Sequence, residues 1–229
     1  MKILGLNCDH ADSAACIISN DEIVCAIEEE RLSRVKHHFG FPYKSIKFCL
    51  DTAKLKLSEI DIVSINSKPF SNMYARINYL FKNPISIGLA AQRFVNLRKK
   101  TQKTILKKMG FKKKIDFVDH HEAHIMSSYA VSGYDDAVVL SVDGFGDFTS
   151  VAWGEVKNDK MKIEKRVLFP NSMGVFYSAV TQYLGFLNYG DEYKVMGMSC
   201  YGNSIYVEKL KKIIEINNDG SINLDLKYF

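Results

Sequence analysis

At 229 residues, with 47% apolar side chains, the chain has material for one ordinary domain or two small ones, each with a hydrophobic core. Its apolar segments are broken by charges before any reaches the roughly 20 residues of a membrane span, and Met1 to Cys8 is too short a run before Asp9 for a secretory leader. The five cysteines include no C-x-x-C pair, which argues against a disulfide framework or a thiolate zinc site and for the cytoplasm, while the net charge of +5 is concentrated between Arg93 and Lys114.

Lys2 to Cys8, Ser13 to Ser19 and Glu22 to Ile27 read as strands, with Asn20-Asp21 as the turn between the last two. A helix is expected over Tyr43 to Ala53, β character over Asp61 to Asn66, and mostly helix from Ser71 to Met109 with an interruption near Pro84. The ten basic residues from Arg93 to Lys114, with no acidic residue among them, leave the rest of the chain at about −5. Phe94, Leu97 and Ile105 recur there at helical spacing, so the stretch reads as an amphipathic helix with a solvated basic face. Its aromatics, Phe94 and Phe111, stand near its ends rather than among the lysines, which speaks against stacking on nucleic-acid bases. Lys114 to Val118 resumes strand character, and Glu122 to Val131 is expected to form a short helix.

Around Tyr134 the opening pattern starts again. Ala137 to Val142, Ser150 to Val156 and Lys162 to Leu168 are expected strands, with turns at Asp143 to Asp147 and at Asn158-Asp159. Two β-turn-β-turn-β units, each followed by helix, predict a duplicated α/β architecture with a cleft between the copies. This is the layout of the actin-like ATPase (RNase H-like) fold, with mixed sheets flanked by helices. The expected subdomains are residues 1–133 and the start of a second at 134–229.

All six histidines fall in three clusters: His10; His37 and His38; and His120, His121 and His124. Histidine both titrates near neutrality and ligates metals, so clusters beside acidic and glycine-rich turns are informative. In Asp119-His-His-Glu-Ala-His124, a helix starting near His120 puts His120 and His124 on one face, where two imidazoles can share an ion. His121 and Glu122 rotate away from that face. Capping of the helix by these histidines is the structural alternative. Asp143 ends a strand at a flexible Gly-Phe-Gly turn, a position suited to metal or phosphate chemistry, although Asp143-Gly144 also suits a plain hairpin. Between Gly190 and Gly202, three glycines and Lys194 in a loop before a helix could cradle an anion.

The segments together resemble the O-carbamoyltransferase family that includes the nodulation-factor, cephamycin and tobramycin carbamoyltransferases. The resemblance rests on Ile3-Leu-Gly-Leu-Asn7 with His10-Ala-Asp-Ser-Ala-Ala15, Glu28-Glu-Glu-Arg-Leu-Ser-Arg34 with Lys36-His37, and Gly40-Phe-Pro42. It continues through Asp119 to His124, Val142-Asp-Gly-Phe-Gly-Asp147, Ser172-Met-Gly-Val-Phe-Tyr177 with Tyr183-Leu-Gly-Phe186, and Lys194-Val-Met-Gly197 with Tyr201-Gly202. It spans Ile3 to Gly202.

The resemblance implies an N-terminal actin-like domain, similar to that of the universal tRNA threonylcarbamoyl-transfer protein, and a separate C-terminal domain that cleaves carbamoyl phosphate. Carbamate would be adenylated by ATP and the carbamoyl group passed to the hydroxyl of a small-molecule acceptor in a biosynthetic reaction. His120, His124 and Asp143 match the ligands of an iron-type metal, while the donor set by itself suits iron, zinc or manganese about equally. His10 matches a general base near the acceptor hydroxyl, Lys36 an ATP-contacting lysine, and Gly144 to Thr149, with Gly146, the second phosphate-facing hairpin. His38, His121 and Glu122 match no family role. With the chain ending at Phe229, the family's further aspartate ligand and its carbamoyl-phosphate domain are expected to be missing, leaving weak metal binding and incomplete catalysis. The alternatives are a tRNA threonylcarbamoyl-transfer protein of the same fold and a non-catalytic nucleotide-binding module. The Glu28 to Pro42 and Lys194 to Gly202 motifs favour the carbamoyltransferase over the tRNA enzyme. No membrane partner is expected, and homo-oligomer formation is left open.

Overall fold

The computed structural model describes residues 1–68, 70–82 and 95–228, with backbone alone for 95–101. The chain divides into two compact units, Met1–His120 and His121–Phe229. Among the described residues no helix is long and apolar enough to cross a membrane.

The first unit is built on a five-stranded sheet. Its strands are β1 (Lys2–Asn7), β2 (Ala14–Ser19), β3 (Glu22–Glu28), β4 (Ile62–Ile65) and β5 (Lys114–Phe117). They lie in the order β3-β2-β1-β4-β5; β2 runs antiparallel to both neighbours, and the β1–β4 and β4–β5 pairs are parallel. That order and direction are those of the actin-like, RNase H-like fold. Side chains alternate across a strand, so Leu4 and Leu6, Ala15 and Ile17, and Val63 and Ile65 all enter the core from alternate positions. The short helix α1 (Glu29–Ser33) follows β3, and α2 (Tyr43–Ala53) covers the sheet with Ile46 and Cys49. Helices α3 (Met73–Lys82) and α4 (Val95–Lys108) follow. Leu106 and Phe111 bring the end of the basic stretch into the core. The interruption expected near Pro84, and the contributions of Arg93, Phe94 and the Leu97 side chain, lie outside the described residues.

The second unit contains most of α5 (His120–Tyr129) and a three-stranded antiparallel sheet in the order β6-β7-β8. Its strands are β6 (Asp136–Gly146), β7 (Thr149–Lys157) and β8 (Lys160–Leu168). Order and direction repeat β1-β2-β3, which is the duplication expected from sequence. Val151, Ala152 and Val156 of β7, Val167 of β8 and Phe176 of α6 (Met173–Tyr183) are buried. Strand β6 is an edge: among the described residues nothing pairs with its other side, and Val138, Leu140 and Val142 are 90%, 66% and 57% exposed. Helices α7 (Glu192–Met198) and α8 (Val207–Leu210) and the hairpin of β9 (Ile214–Ile216) with β10 (Ile222–Leu224) complete the chain.

Two details differ from expectation. Asp143 to Asp147 is not an open turn: β6 continues to Gly146 with a register shift after Val142, and the reversal is made by Asp147 and Phe148 alone. Their φ values of 50° and 70° are the left-handed pair that a two-residue hairpin requires. Lys194 is not in a loop but on α7, with Nζ 2.6 Å from Asp191.

Candidate functional site

Helix α5 brings the expected metal ligands together. His120 and His124 are i and i+4 and share a helix face. His124 Nε2 lies 3.7 Å from Asp143 Oδ2, an ion-pair distance rather than a direct hydrogen bond. Ligand atoms of His120, His124 and Asp143 all lie within 4.8 Å of one another. Donors sharing one divalent ion at about 2.0–2.2 Å each stand roughly 3 Å apart, so small rotations of these side chains would complete the set. Two imidazole nitrogens and one carboxylate oxygen form a three-donor set with room for water or phosphate oxygens, and the residues fit a divalent metal. The nearby Asp143 carboxylate raises the His124 pKa above its ordinary 6.5, against the smaller opposing effect of partial burial. Asp143 is itself oriented, because its Oδ1 accepts the Gly144 N–H at 2.6 Å.

His121 and Glu122, which matched no role in sequence, fix this helix in place. His121 is fully buried; its Nε2–H donates to the Thr149 carbonyl at 2.9 Å, and Nδ1 is 2.8 Å from Ser141 Oγ. A carbonyl can only accept, so Nε2 carries a proton. Glu122 pairs with Arg166 at 3.1 Å. The signal was present in the one-residue rotation of His121 away from the ligand face.

The β6–β7 hairpin presents Gly144 and Gly146, with Thr149 fully buried at its foot. Ser172 caps α6 by accepting the Val175 N–H at 3.1 Å and donates its own proton to the Gly144 carbonyl. Gly174 lies so close that a Cβ there would stand 2.7 Å from Gly144 Cα and N. The Ser172-Met-Gly174 motif thus presses the first turn of α6 onto the glycine hairpin.

In the first unit, His10 lies in the turn between β1 and β2 with Nδ1 3.0 Å from the Ala11 carbonyl. Its ring meets that of His120 edge-on at 5.7 Å. Asn7 and Asn66, next in line on the paired ends of β1 and β4, each hold a buried Oδ1 that accepts no hydrogen bond from the described residues. Lys36 is exposed and lines a surface cavity of about 220 Å³ with Glu30, Arg31 and Arg34. The structure therefore joins His120 to His124 and Asp143, joins His10 to His120, and sets Lys36 among other cations of its own unit.

Residues 2–229 match the Carbamoyltransferase N-terminus family. The chain is 33% identical to the uncharacterized protein sll1178 of Synechocystis over 99% of its own length and 39% of that protein. It is 31% identical to nodulation protein NolNO of Sinorhizobium fredii, covering 84% of this chain and 28% of that one. It is 32% identical to the uncharacterized protein MJ1051 of Methanocaldococcus jannaschii, with coverages of 87% and 33%. The chain thus spans between about a quarter and two fifths of the length of these relatives. Among solved structures, YeaZ from Pseudomonas aeruginosa is similar with TM-score 0.40 and 14% identity, over 75% of this chain and 68% of that one. The family match over residues 2–229 establishes that the chain belongs to the carbamoyltransferase N-terminal family.

Proposed function

We propose that the chain is the ATP- and metal-binding portion of an O-carbamoyltransferase, which moves the carbamoyl group of carbamoyl phosphate, through a carbamoyl-adenylate, to the hydroxyl of a small-molecule acceptor. The observation that carries this reading is the convergence of His120, His124 and Asp143. Iron is the first candidate for the ion, with zinc and manganese suiting the same donors. A bound divalent cation would supply positive charge to the phosphate oxygens of ATP.

The remaining work falls to the chain itself. Lys36 supplies a cation to phosphate, and the Gly144 to Gly146 stretch of the β6–β7 hairpin lets phosphate approach because neither glycine carries a side chain. His10 is the general base: Nδ1 donating to the Ala11 carbonyl sets the tautomer whose Nε2 carries the lone pair that takes the hydroxyl proton. The buried Asn7 and Asn66 amide oxygens are acceptors suited to further hydroxyls of such a substrate.

The test is metal-dependent ATP binding by the chain, measured by calorimetry with Mn²⁺ present and absent. His124→Ala should abolish the metal-dependent component, and Lys36→Met should weaken ATP binding while leaving the circular dichroism spectrum unchanged. ATP affinity indifferent to metal, to His124→Ala and to Lys36→Met would refute the reading.

A further inference from the structure

A second group of metal-ligating side chains lies wholly within the first unit. Asp12, Glu30 and His37 each offer a ligand atom, and the three atoms lie within 4.8 Å of one another. None was assigned as a metal ligand from sequence, and none belongs to the His120 set. We propose that Asp12, Glu30 and His37 form a second metal site, which takes one divalent first-row transition ion through two carboxylate oxygens and the His37 Nδ1.

Three segments within the first 40 residues are held together here. Asp12 lies in the turn between β1 and β2, Glu30 on α1, and His37 in the loop beyond α1. The fully buried Ser13 joins all three: its N–H donates to the His38 carbonyl at 3.0 Å, its hydroxyl reaches the His38 and Gly40 carbonyls, and its own carbonyl accepts the Glu29 N–H at 2.8 Å. Each proposed ligand is therefore one residue removed from a hydrogen bond made by Ser13. Asn7 Nδ2 donates to the Asp12 carbonyl at 2.8 Å and fixes the β1–β2 turn further. Such a frame supplies the preorganisation that lowers the cost of collecting ligands.

The geometry at the ligand atoms is already close to what an ion needs. His37 Nδ1 stands 2.8 Å from Asp12 Oδ1, near the separation of adjacent donors around one ion. The His37 backbone N–H donates to Glu30 Oε2 at 2.8 Å, which turns the glutamate toward the imidazole. His37 holds the left-handed conformation, φ 53°, that places its ring here. Side-chain exposures of 39% for Asp12, 18% for Glu30 and 28% for His37 leave an entry path and positions for water. Two carboxylates offset the charge of a divalent ion, and the imidazole favours a transition metal over Mg²⁺, which prefers oxygen ligands. Arg31, a cation 3.8 Å from Glu30, is 68% exposed, so water screens much of its repulsion. In the absence of metal, His37 and Asp12 are hydrogen-bonded to each other, and the experiment separates that role from ligation.

The probe is Co²⁺, titrated into the 229-residue chain and followed by calorimetry and visible absorbance. With His124→Ala removing the other candidate site, the chain should still take up one equivalent of Co²⁺. Adding His37→Gly, chosen because glycine tolerates the left-handed backbone, should remove that equivalent, and Asp12→Ala should do the same. In the His124→Ala protein, Mn²⁺ should also broaden the His37 ring resonances in the NMR spectrum, a readout that needs no substitution at the site. A His124→Ala protein that binds no Co²⁺, or one whose binding survives both His37→Gly and Asp12→Ala, overturns the proposal. Loss of the His120–His124–Asp143 reading would show differently: wild type would bind one equivalent, unaffected by His124→Ala and abolished by His37→Gly.

Discussion

Neighbouring histidines on α5 have opposite tasks, and substitution should separate them. His124 is 53% exposed beside Asp143, whereas His121 is fully buried between Ser141 and Thr149. His121→Ala should cost roughly 2–4 kcal/mol through the cavity and the unpaired groups it leaves, lowering the melting temperature while the ligand atoms of His124 and Asp143 remain. His124→Ala should do the reverse, leaving the melting temperature nearly unchanged and removing only the metal shared with His120 and Asp143. The raised pKa of His124 sets the sign of the pH dependence. In the metal-free chain its pair with Asp143 stabilises the fold fully below the ordinary histidine value of 6.5, and that contribution is lost as pH rises through the raised folded pKa. Solvent exposure keeps the contribution below about 1 kcal/mol. Metal needs the neutral ring, so Co²⁺ affinity should increase over the same rise in pH. Asp143→Asn should return the His124 titration toward 6.5, read from its ring proton shifts. At this scale the ligand face was legible, because i and i+4 spacing is a property of any helix. The anchoring of His121 was not, because Ser141 and Thr149 reach it only through the packing of the β6–β7 hairpin.

At the scale of elements, the termini of two helices show how motifs without a chemical role can act through structure. Helix α2 begins after Pro42, which offers no side-chain acceptor to its first N–H groups. Glu29 of α1 does so instead: buried, it accepts the Lys44 N–H at 3.1 Å and both the Ser45 N–H and hydroxyl at 2.7 Å. Glu29→Gln should therefore cost roughly 1–3 kcal/mol, a loss measurable by urea unfolding, since an amide has one acceptor oxygen for three donors. Glu28 to Arg34 was legible as a motif, but a cap supplied from 15 and 16 residues away carries no local sequence signal. The second terminus belongs to α6. Gly174→Ala would drive a methyl into the backbone of Gly144, costing about 1–3 kcal/mol by overpacking, and it should displace the amide resonances of Gly144 and Gly146 in an otherwise folded protein. Unmoved glycine resonances would show that the hairpin does not depend on this contact.

Across the whole chain, the repeated order β1-β2-β3 and β6-β7-β8 was readable because alternation of apolar residues and two-residue turns recur in both copies. Asn20-Asp21 and Asn158-Asp159 both take left-handed φ values, 52° and 65° in one and 47° and 59° in the other. Strands β9 and β10, three residues each, are too short to carry a periodic signal, and they went unread. Cys8 and Cys49 are buried, which pushes both thiols up to about 12 and keeps them protonated, whereas Cys200 is exposed.

Strand β6 carries a practical consequence for handling the protein. An apolar edge that no described strand pairs with is a template on which another strand can form, whether in a second molecule or in a chain still folding. Sedimentation velocity should reveal association that grows with protein concentration and persists at high salt, because its origin is apolar rather than ionic. Leu140→Lys places a charge in the centre of that row and should return the protein to a single slow species without altering its circular dichroism. A monomer that remains monodisperse at every concentration would mean that the row is already shielded. Yield and shelf life in preparations of this chain should then depend less on its melting temperature than on how well this one strand is kept from its neighbours.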